Sequence, residues 1–182
     1  MVRKKYAQDY RSETILTPGG HRRTVVTYIG VYYRFAAEPK TVRRMKLWYS
    51  ILTALSAALW LLLLLANVRP LANSWAFTAP MVIGIAAVGE ELMALWRLHT
   101  AKEHVTREHN DKLYGRYQFF SGTQTALGLC ALAGGIVMLC TNEFSALNLL
   151  LCCGAAAWSA CGVVMYLLRG NLRMEELPQD TL

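Results

Sequence analysis

The chain has 182 residues, 54% of them hydrophobic, and a formal net charge of +7. Soluble domains are typically about 45–50% apolar, and here the excess is gathered into long runs, which excludes an ordinary soluble domain. The positive charge sits on the flanks of those runs, so we read it as membrane topology and not as a nucleic-acid footprint.

Residues 1–38 form a basic amino-terminal segment. Within it, residues 12–29, SETILTPGGHRRTVVTYI, carry two runs rich in β-branched residues around Pro18-Gly19-Gly20. Pro followed by Gly is a turn signal, so the pattern predicts a β-hairpin over 12–29. The competing reading is a disordered basic tail. An isolated hairpin is only marginally stable in water. It would have to lean on the membrane, the 99–116 loop or another chain.

Next comes VYYRFAAEPKTVRRMK, in which Lys40, Arg43, Arg44 and Lys46 are expected to meet lipid headgroups. Pro39 suits the first turn of a helix, so the first helix is expected to begin near it. Four apolar runs follow, at about 47–66, 75–98, 117–140 and 146–168. Each is near the roughly 20 residues that an apolar helix needs to cross a bilayer. The predicted fold is therefore all-α: a four-helix transmembrane bundle over 39–168 with a small cytoplasmic amino-terminal segment. Trp60 and Trp158 lie deep in their runs and are expected to pack between helices.

Of the 19 Lys and Arg residues, only Arg69 falls in the two loops at 67–74 and 141–145. The rest lie in 1–46, around the 99–116 loop, or in the tail at 169–182. The distribution predicts cytoplasmic amino and carboxyl termini in a multi-pass protein of the cell membrane.

The 99–116 loop is expected to extend a helix into solvent, with Glu103 and Glu108 pairing with Lys102, Arg107 and Lys112. Its His99, His104 and His109 are five residues apart, so on a helix they point in different directions. That is not a zinc-ligand spacing.

The five cysteines lie in the last two runs. They are read as small apolar packing residues. Gly122, Ala126, Cys130 and Gly134 recur at every fourth position, as do Cys153, Ala157 and Cys161. These two ribbons predict a close antiparallel pair of the third and fourth helices.

The stretch VGEELMALWR places Glu90 and Glu91 inside the second run, roughly 8 Å from its middle at 1.5 Å per residue. Charged groups at such depth face a bundle interior or a wet cavity. Counting inward from the same side puts Thr53 and Gln124 at the same level. Glu90, Glu91, Gln124 and Thr53 are therefore expected to form one polar layer, with Glu91 inward and Glu90 leaning toward the basic zone on the face of Arg97. A neutral acid could donate to the Gln124 carbonyl and accept from its amide.

Three functions compete for this layer. It can be a clamp that fixes which helices pair, in a non-enzymatic accessory, regulatory or scaffold subunit. It can bind or relay a cation or proton in a small oligomeric transporter or channel. The third follows from a resemblance: GEELMALWR resembles the EExxxR motif of the CAAX-type and bacteriocin-processing intramembrane proteases. The likeness covers these residues alone, Leu95 stands where the motif has Arg, and Arg97 comes two residues later. No phosphate loop, nucleophile elbow or metal constellation is present, so no cofactor, metal or catalytic residue is assigned. The expected partners are the lipid bilayer and another membrane protein or a second copy of the chain, with no nucleic acid.

Overall fold

The computed structural model describes residues 4–16, 21–66, 75–101, 104–141 and 145–177. A 3₁₀ turn at Lys4–Asp9 leads into β1 (Tyr10–Leu16) and β2 (Arg22–Tyr28), then β3 (Tyr32–Phe35) and helix α1 (Pro39–Ala66). Helix α2 (Trp75–Thr100), β4 (Val105–Thr106), α3 (Arg107–Thr141) and α4 (Ala146–Leu168) follow. A second 3₁₀ turn at Arg169–Leu172 leads into β5 (Met174–Glu176).

All four helices are long and apolar enough to cross a membrane. Their outward faces carry large apolar side chains, with Leu62 64%, Leu150 64% and Leu167 72% exposed. In water such a surface would be an aggregation hazard, and in lipid it is the solvated side. The chain is a multi-pass helical membrane protein.

The helices pack as a ring: α3 lies along both α2 and α4, and α1 closes the bundle against α2 and α4. Each inward stripe mixes steps of three and four residues, the repeat that keeps one face of a helix on a neighbour. On α1 the stripe is Tyr49, Thr53, Ser56 and Leu63. On α3 it is Leu113, Tyr117, Ser121, Gln124, Gly128, Ala131, Gly135 and Met138, with Gly134 buried beside it.

Two buried clusters result. One, toward the far end, gathers Leu63, Phe77, Met81, Val88, Ala131, Met138, Leu151, Ala155 and Trp158. The other, toward the strands, gathers Tyr49, Ala94, Leu98, Leu113, Tyr117, Met165 and Leu172.

Strands β1 and β2 form an antiparallel hairpin, Tyr10 opposite Tyr28 and Leu16 opposite Arg22. The expected turn at Pro18-Gly19-Gly20 lies outside the described residues, as do Arg69, Lys102 and Glu103. A second, three-stranded antiparallel sheet runs in the order β4-β3-β5. Backbone bonds from Leu177 N to Tyr32 O (2.9 Å) and from Ala36 N to Arg173 O (3.1 Å) extend its β3–β5 edge. This sheet ties the amino-terminal segment, the α2–α3 connection and the tail together at one end of the bundle, called here the sheet end.

The expected helical extension at 99–116 holds from Arg107 on, where Glu108 pairs with Lys112, and is interrupted before it. Helix α2 stops at Thr100, Val105 and Thr106 are extended, and α3 starts at Arg107. At 35 residues, α3 therefore projects well past its apolar stretch.

Candidate functional site

One polar side chain from each helix meets in the middle of the bundle: Ser56 from α1, Glu91 from α2, Gln124 from α3 and Trp158 from α4. All four are fully buried. Ser56 is the junction. Gln124 Nε2 donates to Ser56 Oγ at 2.9 Å and Trp158 Nε1 donates to it at 3.1 Å. Ser56 Oγ in turn donates to Glu91 Oε2 across a long 3.4 Å. Gln124 Nε2 also donates to the Trp158 carbonyl at 2.8 Å, which fixes the orientation of the amide.

A hydroxyl offers one hydrogen and two lone pairs, so Ser56 is fully used. Both amide hydrogens of Gln124 and the indole hydrogen are used as well. Two acceptors remain without a donor, Glu91 Oε1 and Gln124 Oε1.

The expected polar layer is thus partly redrawn. Glu91 and Gln124 are in it, joined through Ser56 and not directly. Thr53 is buried but sits one turn away, donating to Met165 Sδ at 3.8 Å in the cluster of Tyr117 and Tyr49. Glu90 is outside it. A helix turns about 100° per residue, so the neighbour of an inward Glu91 faces sideways, and Glu90 leans toward the basic zone as expected, pairing with Arg116 of α3. Trp158 packs between helices as its depth suggests, but nothing in residue order marks it as a member of the layer. Ser56 does continue the Tyr49–Thr53 stripe by one step of three, which is the one signal that could have found it.

Two tryptophans close the cluster toward the far end. Trp60 Nε1 donates to the Met81 carbonyl at 2.8 Å. A Cβ on Gly84 would lie 2.9 Å from Trp158 and 3.0 Å from Trp60, so only glycine lets both rings approach α2. Beyond them, Thr78 is the only buried polar side chain among the described residues.

The helix-packing ribbons fall largely on other faces. Ala126, Cys130, Cys153 and Ala157 are exposed, and a Cβ on Gly122 would meet nothing within 4 Å. Of the two ribbons, Gly134 and Cys161 are buried, Gly134 against the backbone of Ala76. The close α3–α4 approach is made instead at Gly128, where a Cβ would lie 2.7 Å from that of Ser159, and at Gly162 against Thr125 and Ser121.

Lys40, Arg43 and Arg44 are exposed on the first turns of α1, and Lys46 is half-buried there. His99 bonds Ser50 Oγ at 2.8 Å and His109 bonds the Arg97 carbonyl at 3.2 Å, so neither joins Glu91. Among the described residues no three His, Cys, Asp or Glu side chains are grouped to hold a metal ion. Comparison of the chain with protein-family models, with curated proteins and with solved structures finds no match.

Proposed function

We propose that the chain is a non-enzymatic accessory or scaffold subunit of a membrane assembly, with the sheet end and both termini in the cytoplasm of a cell whose membrane it spans. The orientation follows from the placement of Lys and Arg. The observation that carries the reading is the β1–β2 hairpin. Its strands are exposed along nearly their whole length, with Ile15 50% and Val26 55% exposed, and among the described residues it pairs with no third strand. A two-stranded hairpin of that kind is stabilised by a partner that extends the sheet or covers a face. The partner is another membrane protein or a second copy of the chain.

The buried cluster fits this reading as a clamp. Each helix contributes one member, and among the described residues Thr78 is the only buried polar side chain in the far half of the bundle. A second reading, a proton- or cation-coupled oligomeric transporter using Glu91, draws on the two acceptors that lack donors. Ion and proton flux in proteoliposomes separates the two. The accessory reading predicts no flux above that of empty vesicles. Flux that is lost in Glu91→Gln would overturn it.

A further inference from the structure

Five charged side chains of both signs surround one cleft at the sheet end, and no ion pair joins any of them to a described residue. The cleft is open on one side and has a volume of about 540 Å³. Arg34 comes from β3, Glu38 from the residue before α1, Arg43 and Lys46 from α1, and Glu175 from β5. Arg34 and Glu175 are register partners in the sheet and still form no ion pair. Elsewhere at this end opposite charges do meet: Lys5 with Asp111, Lys112 with Glu108, Arg116 with Glu90.

The cleft also sits at a defined level. Lys46 immediately precedes the apolar stretch, and the next two residues, Leu47 and Trp48, are 61% and 54% exposed on the outer face. An exposed indole at that position belongs to the headgroup region. The first amides of α1 have no carbonyl partner within the helix and favour an anion.

We propose that this cleft holds the headgroup of an aminophospholipid, its phosphate on Arg34, Arg43 and Lys46 and its primary ammonium on Glu38 and Glu175. The inference rests on the membrane placement of α1 and not on the accessory-subunit reading. Three cations beside two carboxylates complement a group that carries both charges. A headgroup with phosphate alone engages the three cations and brings the two carboxylates no counter-ion of its own. A quaternary ammonium has no hydrogen to donate to them.

Native mass spectrometry of the full chain, purified in detergent and incubated with phosphatidylethanolamine, phosphatidylglycerol or phosphatidylcholine, tests this. One phosphatidylethanolamine is retained, with about tenfold less of the other two. Arg43→Gln/Lys46→Gln abolishes retention, while Arg43→Lys/Lys46→Arg keeps it. Lys40→Gln/Arg44→Gln removes the same charge from the same turns outside the cleft and leaves retention intact. Glu38→Gln/Glu175→Gln moves the preference to phosphatidylglycerol. Equal loss in the two neutralised pairs, or phosphatidylglycerol held as well as phosphatidylethanolamine by the wild type, overturns the proposal. Displacement of the lipid by an equal concentration of soluble glycerophosphoethanolamine overturns the membrane source.

Discussion

Ser56 and Gln124, on helices that share no long contact, are joined at 2.9 Å in the centre of the bundle. Helix α1 packs chiefly on α2 and α4, and α3 lies across the ring from it. The bond therefore spans the diagonal that apolar packing leaves least constrained. In lipid, where no hydrophobic effect draws helices together, such bonds and close backbone contacts select the arrangement.

Glu91→Gln should be tolerated. The amide keeps the shape of the acid and still accepts from Ser56. Its effect on stability should stay within about 1 kcal/mol. Glu91→Ala removes the acceptor and leaves a void, and should cost about 2–4 kcal/mol. Thermal unfolding in detergent compares them. Equal losses would show that the cluster requires the charged carboxylate.

Glycine positions on α3 should separate sharply. Gly128→Ala pushes a methyl to 2.7 Å from the Ser159 Cβ and 2.9 Å from its Cα, so α3 and α4 must part. A loss of about 1–3 kcal/mol is expected. Gly122→Ala meets open space and gains helix propensity of up to about 1 kcal/mol. A lower melting temperature for Gly122→Ala than for Gly128→Ala would contradict the assigned faces.

Amide exchange should rank the two sheets. The β1–β2 hairpin is exposed and has no third strand among the described residues, whereas β3 is flanked by two strands. In the isolated protein, β2 amides should exchange faster than those of β3. Slower exchange in β2 than in β3 would contradict an arm that needs a partner.

Much of this is legible from residue order. The four spans follow from run length, and the inward Glu91 follows from depth and helical phase. The small-residue ribbons mislead for a geometric reason. Steps of four advance 400° on a helix, so Gly122, Ala126, Cys130 and Gly134 drift by about 120° from first to last. The mixed set Ser121, Gln124, Gly128, Ala131 and Gly135 holds its face, and that set packs. The second sheet is not legible, because strands of two to four residues are too short to show a period of two. Its β3–β5 pairing also joins segments more than a hundred residues apart, Tyr33 with Glu176.

A double-mutant cycle between Ser56→Ala and Gln124→Leu measures the diagonal bond most directly. The account predicts that the two losses are not additive, with a coupling of at least about 0.6 kcal/mol in detergent or bicelles. Strictly additive losses would mean that the two side chains do not meet, and that something other than this junction sets the arrangement of the helices.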